Sequence, residues 1–325
     1  MRVLVTGGSG FIGASVTRQL LERGHEVALV LRPMSQGIAD RHRIEDLLPF
    51  VTQIERDLSD FRSEDVEDLA SFSPGAVIAL GWSGVQGDQR NNPRQYVNTE
   101  YLCDLYRAVS VATKHTCRAF IGIGSQAEYA PSFDAIDEGY LAKPLTAYGA
   151  AKLAACILLN QMAMLDASRF CWVRLFAAYG PDDAPDWMIP CLIRTLLRGE
   201  IPALTECTQC CDYLHVRDAA LAIVGLLESD TASGIYNLGS GSAPQLREVV
   251  ELIRQFVACG EDLPLVGYGQ MPFRQGQPMH IQANVAKLIR DTGWSPQISL
   301  AEGLDETVEW YRDQCLRGGM NDRTE

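Results

Sequence analysis

The chain opens Arg2-Val3-Leu4-Val5-Thr6 and turns at once through Gly7-Gly8-Ser9-Gly10-Phe11-Ile12-Gly13 into an amphipathic stretch. A strand that runs through a glycine-spaced turn into a helix dictates a folding unit almost by itself. Gly7, Gly10 and Gly13, with Phe11 and Ile12 between them, let the backbone approach a pyrophosphate, whose charge then sits at the helix N-terminus. The spacing is G-x-x-G-x-x-G, one residue longer than the commonest dinucleotide fingerprint.

Downstream, apolar runs alternate with helical stretches, the signature of βαβ units and a parallel sheet. Strands are predicted at Arg2–Thr6, Glu26–Leu31, Gln53–Asp57, Ala76–Leu80, Arg118–Gly124 and Phe170–Phe176. Helices are predicted over Phe11–Arg23, Ser63–Phe72, Asn92–Thr113 and Thr146–Leu165. Beyond residue 176 the texture changes: prolines, short strands at Asp212–Val216 and Ile235–Leu238, and helices near Pro190–Arg198, Asp218–Leu227, Leu246–Cys259, Asn284–Thr292 and Leu300–Cys315. The pattern predicts an α/β fold, a doubly wound parallel Rossmann-type sheet with a smaller, interleaved C-terminal α/β substrate lobe. Residues 1–176 and roughly 213–238 fall to the dinucleotide-binding domain, roughly 177–212 and 239–317 to the lobe, and 318–325 to a frayed tail.

A length of 325 residues supports a substantial core. The formal charge of −13 argues against nucleic acid or an anionic membrane as partner, since both demand clustered Lys and Arg. No charged leader with an apolar segment precedes the first strand, no apolar run is read as a membrane span, and the expected location is cytoplasmic. The ten cysteines read as buried free thiols. Cys207, Cys210 and Cys211 with His215 have ligand-like spacing, but they lie where a loop enters a strand, and no metal is expected.

The second strand decides the cofactor. It ends Leu31-Arg32, where an NAD enzyme would place an acid for the adenosine ribose. Arg32 suits the 2′-phosphate of NADP, with NAD as the alternative, and Asp57-Leu58 at the end of the third strand would flank the adenine. Tyr148 and Lys152 stand four apart on one helical face, so the phenol and the ammonium can meet. A fixed cation beside a tyrosine favours phenolate and brings its pKa towards the range of a general acid or base.

Taken together these residues resemble the extended short-chain dehydrogenase/reductase family over nearly the whole chain. The matching pieces are TGGSGFIG, Asn98, Ser125 in GSQAEY, Tyr148 with Lys152, VRLFAAYGP (Val173–Pro181), DYLHVRDAA (Asp212–Ala220), YNLGSGS (Tyr236–Ser242), and GWSPQISLAEGLDETVEWY near the C-terminus. The resemblance implies that Ser125 and Tyr148 contact the reacting oxygen, and that Lys152 also holds the nicotinamide ribose. The later motifs resemble the branch that acts on nucleotide-activated sugars. Dehydratases of that branch follow the hydroxyl residue with Asp-Glu; this chain has Gln126-Ala127, which argues against water loss. Glu128 comes one place too late and reads as a surface carboxylate. Ala177 stands where many relatives carry an Asn that meets the ligand phosphate.

Gln126 and the loop bearing Trp82 look most like reductases of 4-keto-deoxysugar nucleotides, the CDP-abequose synthase kind. Arg217 and Arg274 are candidates for the substrate diphosphate, each equally readable as a surface Arg. The leading expectation is NADPH-dependent 4-ketoreduction of a nucleotide-linked deoxyhexose. A nucleotide-sugar epimerase that retains NAD is the alternative, and a non-catalytic NADP-sensing partner protein is the reading from another class. Finally, the helix ending LAACILLNQMAML is apolar almost all round, and Asn92–Thr113 is similarly rich. Two such helices per subunit predict a homodimer through a four-helix contact, with Leu159 on the free face.

Overall fold

The computed structural model of the protein describes residues 1–33, 41–62, 66–274 and 276–317. The expected tail and the start of the helix predicted from Ser63 lie outside these residues. Seven parallel strands form the main sheet in the order β10-β6-β5-β4-β1-β2-β3. They are β1 (Arg2–Thr6), β2 (Glu26–Leu31), β3 (Thr52–Glu55), β4 (Ala76–Ala79), β5 (Ala119–Ser125), β6 (Arg169–Leu175) and β10 (Gly234–Leu238). Chain order reverses between β1 and β4, so the crevice at their carboxyl ends is the switch point at which open α/β sheets bind ligands. This is the Rossmann-type architecture.

Central strands read as unbroken apolar runs because both faces are covered. One core layer joins Val3, Val5, Leu29, Ile78 and Ile121 to Val16 and Leu20 of α1 (Phe11–Glu22), and to Ile223 and Leu227 of α6 (Val216–Glu228). The other joins Leu4, Ala28, Val77, Phe120 and Trp172 to α2 (Glu67–Phe72), α3 (Tyr96–Ala112) and α4 (Ala147–Leu165). Alternate residues of each strand thus face opposite layers, as a period of two requires.

The remaining elements are β7 (Ala177–Tyr179), α5 (Met188–Leu197), β8 (Cys210–Cys211), β9 (Tyr213–His215), α7 (Leu246–Ala258), β11 (His280–Ile281), α8 (Ala286–Thr292) and α9 (Leu300–Leu316). β7 pairs with β9 and β8 with β11, both in parallel. Helices α5, α7 and α9 close a third core around Ile193, Leu196, Val249, Ile253 and Leu304. Asp212 ties these pieces together. Its fully buried carboxylate accepts hydrogen bonds from the Ser240 N–H (2.6 Å) and hydroxyl (2.7 Å), the Gly241 N–H (3.0 Å) and the Ala283 N–H (3.1 Å).

Two expectations change here. Helix α3 is not apolar on its outer side: Glu100 and Asp104 pair there with Arg62, and Arg107 with Asp104. Leu159 is wholly buried against the sheet, and the exposed apolar residues of α4 are Ile157, Leu158, Met164 and Leu165. Helix α4 is also long and apolar enough to cross a membrane by length and composition, contrary to the reading of the sequence. In the fold its inner face packs on the sheet and carries the buried Lys152.

Candidate active site

The glycine turn fits a diphosphate. Gly7 has φ +71°, and a Cβ there would lie 2.7 Å from the Gly81 nitrogen. A Cβ on Gly13 would overlap the Gly7 carbonyl, so the first turn of α1 can lie this close to β1 only without one. Gly10 is the N-cap of α1 and makes no side-chain cap, and the first turn bears no acid. Its leading N–H groups are therefore available to an anion. Phe11 and Ile12 start the helix half-buried.

At the adenosine corner, Arg32 is exposed just past β2. A second guanidinium joins it. Arg41 donates to the Arg32 carbonyl (3.0 Å) and pairs with Glu55 at the end of β3 (2.9 Å). Arg41 Nε is buried and has no hydrogen-bond partner among the described residues. Nothing in the sequence marked Arg41, because the segment before it has no period tying it to β2. Asp57 accepts from the N–H and hydroxyl of Ser59, and Leu58 packs beneath Gly81.

The carboxyl end of β5 carries the rest. Ser125 caps the short turn Gln126–Glu128, its hydroxyl accepting from the Ala127 N–H at 3.2 Å. Helix α4 starts directly against that turn: Thr146 caps it, and a Cβ on Gly149 would overlap the Ala127 carbonyl. This contact sets Tyr148 beside Ser125. Burial pushes the Tyr148 phenol above its ordinary pKa, opposed by a hydrogen bond with the Ser125 side chain and by the charge of Arg90.

Lys152 and Tyr148 do not meet as the spacing suggested. The Lys152 ammonium donates to the Ile123 carbonyl (2.5 Å) and lies 3.9 Å from the centroid of the Trp82 ring, against 5.8 Å for Tyr148. Both side chains follow one helical face, but the strand carbonyl and the indole capture the longer one. Burial lowers the Lys152 pKa to about 7. The cation on the Tyr148 ring is instead Arg90, 4.5 Å from its centroid. Arg90 comes from a single 3-10 turn, Gly87–Asn91, and no sequence interval links it to Tyr148.

Trp82 is fixed from several sides. Its indole N–H donates to Gln95 (2.9 Å), its ring meets Tyr148 edge-on at 6.1 Å, and Gln95 itself donates to the Gly84 and Gln89 carbonyls. Asn98 clamps the same loop through both backbone groups of Ser83.

Glu128 corrects the surface reading. It is fully buried and pairs with Arg174 at 2.8 Å; it also accepts from the Trp172 indole at 3.0 Å and the Ser125 N–H at 2.9 Å. Gln126 is half-buried beside it. Arg217 lies at the start of α6 in an ion pair with Glu306 of α9, and Arg274 is exposed in a loop of the lobe, so neither joins the Tyr148 cluster. Cys207 is buried, Cys210 and Cys211 form β8, and His215 ends β9 with its pKa lowered by burial to about 4. Among the described residues no three His, Cys, Asp or Glu side chains are grouped to hold a metal ion. The ten cysteines form no disulfide, but Cys191 and Cys259 are exposed rather than buried.

The chain is 27% identical over 96% of its length to a dTDP-glucose 4,6-dehydratase of Streptomyces niveus, covering 93% of that protein. It is 28% identical to a UDP-glucose 4-epimerase of Corynebacterium glutamicum, with 91% of each chain covered. The crystal structure of a Thermus thermophilus UDP-glucose 4-epimerase with NAD shares the fold, with a TM-score of 0.82 at 24% identity over 96% of this chain and 99% of that one. Residues 3–239 match the NAD dependent epimerase/dehydratase family, to which the chain therefore belongs, as an enzyme of the extended short-chain dehydrogenase/reductase type.

Proposed function

We propose that the protein reduces the 4-keto group of a nucleotide-linked deoxyhexose with NADPH. One observation carries the reading: Tyr148, the Ser125 hydroxyl and the buried Lys152 gather at the carboxyl edge of β5, beside a turn with Gln126-Ala127 where dehydratases have Asp-Glu. A nicotinamide bound along the glycine turn would supply the hydride. Tyr148 gives its proton to the C4 oxygen as negative charge develops there, and the burial that raises its pKa keeps the phenol protonated at neutral pH, as a donor must be. Ser125 orients the same oxygen. Lys152, its ammonium 5.8 Å from the centroid of the Tyr148 ring, would hold the nicotinamide ribose. Trp82 walls this side against water.

Arg32 just past β2 and Arg41 beside it suit a 2′-phosphate, and Arg41 Nε is a buried donor without an acceptor among the described residues. In this reading residues 1–176 with roughly 213–238 hold the cofactor. The lobe holds the sugar nucleotide, with Gln126 and Trp82 near the hexose and Arg217 and Arg274 on the diphosphate side. An epimerase that retains NAD is the second reading, favoured by the C. glutamicum relative and by the NAD in the T. thermophilus enzyme.

We further propose a homodimer through α4, whose outer face exposes Ile157 and Leu158 at 55% and 49%, with the charged edge of α3 as rim.

Tyr148→Phe removes the proton donor and keeps the ring. Turnover should fall about 10² to 10⁴-fold with the melting temperature preserved, and a variant retaining more than about a third of activity overturns the assignment. Calorimetry should show NADPH binding more tightly than NADH, with Arg32→Ala losing on the order of 1.5–3 kcal/mol of the difference. Equal or tighter NADH binding contradicts the cofactor reading. Light scattering should give twice 35.8 kDa, and Leu158→Asp should return one chain mass. A wild-type monomer sinks the dimer.

A further inference from the structure

Beneath the site lies a buried ion pair that the reaction as proposed does not use. Glu128 is wholly inaccessible and Arg174 nearly so. The carboxylate meets Arg174 Nε at 2.8 Å, the Trp172 indole N–H at 3.0 and 3.2 Å, and the Ser125 N–H at 2.9 Å. Arg174 in turn lies 4.3 Å over the ring of Tyr129, whose hydroxyl donates to Asn237 at 2.7 Å. The packing admits no substitute: a Cβ on Gly124 would overlap both the indole nitrogen and the Glu128 carboxylate. Burying two charges is costly, and a pair of this kind is often no more stabilising than apolar residues of the same volume. Its presence at this place calls for a reason other than stability.

The orientation of the pair supplies one. Glu128 and Ser125 form a reciprocal cap, in which the carboxylate holds the Ser125 N–H and the Ser125 hydroxyl accepts from the Ala127 N–H. The carboxylate and the Lys152 ammonium hold backbone groups two residues apart at the carboxyl end of β5, the Ser125 N–H and the Ile123 carbonyl, whereas the guanidinium end lies over Tyr129. The groups facing Lys152 are the Ile123 carbonyl from β5, the Trp82 ring from the loop after β4, Tyr148 from its own helix, and Glu128 from the turn after β5. Glu128 is the one anion among them. Arg90, from the turn Gly87–Asn91, faces Tyr148, and the Cys156 thiol on α4 also feels Glu128 and Arg174.

We propose that Glu128 is a positioning residue with two tasks: its carboxylate fixes the Ser125 loop, and its negative charge stands against the Lys152 ammonium, which is held two residues earlier on the same strand. Arg174 completes the device by pairing with Glu128 from the neighbouring strand, which turns the negative end of the pair inwards. The meaning given to Lys152 and Ser125 rests on the proposed ketoreductase reading, but the electrostatic link itself does not.

The link can be measured without cofactor or substrate. The chain has four lysines, Lys114, Lys143, Lys152 and Lys287, so the side-chain Cε resonance of Lys152 can be assigned with Lys152→Met and followed against pH by NMR. In the wild-type protein it should titrate far below the other lysines, near pH 7. In Glu128→Gln, which keeps an oxygen for the Ser125 and Trp172 donors but loses the charge, the midpoint should fall further, by on the order of one pH unit. Trp172→Phe, which loosens the packing and leaves the carboxylate, should not move it. If the single variant does not fold, Glu128→Gln/Arg174→Gln, which removes both members of the ion pair, should show the same fall. An unmoved Lys152 midpoint in the Gln variant, or an equal fall in Trp172→Phe, overturns the proposal. Loss of the ketoreductase reading alone would leave the titration result intact.

Discussion

A lysine ammonium buried at the carboxyl edge of a sheet is an expensive object, and much of this structure is arranged around it. Lys152 is 4% exposed, with one carbonyl to donate to and one aromatic face to lie on. Removing an ammonium from water disfavours the charged form, which is why its pKa is brought down to about 7. Three parts of the chain must meet to hold it. β5 supplies the Ile123 carbonyl, the Gln95-locked loop after β4 supplies Trp82, and the first turns of α4 bring the lysine over Ser125. Gly149 marks the close approach of α4 to the turn after β5, since a Cβ there would strike the Ala127 carbonyl.

The same constraint explains which parts of the site the sequence disclosed. The glycine turn and its helix were legible because the strand, the turn and the helix are contiguous, and contiguous geometry leaves a local pattern. The main strands and most helices were legible for the same reason, with ends shifting by a residue or two. Tyr148 and Lys152 were placed on one face correctly. Their relation was not, because a four-residue interval fixes where side chains start and not which acceptor captures them. Trp82 and the Ile123 carbonyl lie 70 and 29 positions away in sequence, beyond any periodic argument.

Arg90, Arg41 and Glu128 show the limit more sharply. Each is a charged residue in a turn or loop, and such residues are usually solvated. What changes their meaning is long-range packing: α4 under Arg90, β3 beside Arg41, and β6 across from Glu128. Glu128 is the clearest case. Its partners Trp172 and Arg174 lie on the neighbouring strand, two residues apart and hence on the same face of the sheet, which is a relation only the paired strands reveal.

The central claim is a net reduction at C4 rather than a reversible oxidation that returns the hydride. It is tested most directly by mixing the protein with 4-keto sugar nucleotides and NADPH deuterated on its transferable hydrogen. Mass and NMR analysis of the sugar then show where the label goes. The account predicts stoichiometric consumption of NADPH, with deuterium at C4 of a single hydroxyl epimer. Interconversion of 4-hydroxyl sugar nucleotides by the protein, with no net consumption of cofactor and no label at C4, would contradict it and establish the epimerase reading.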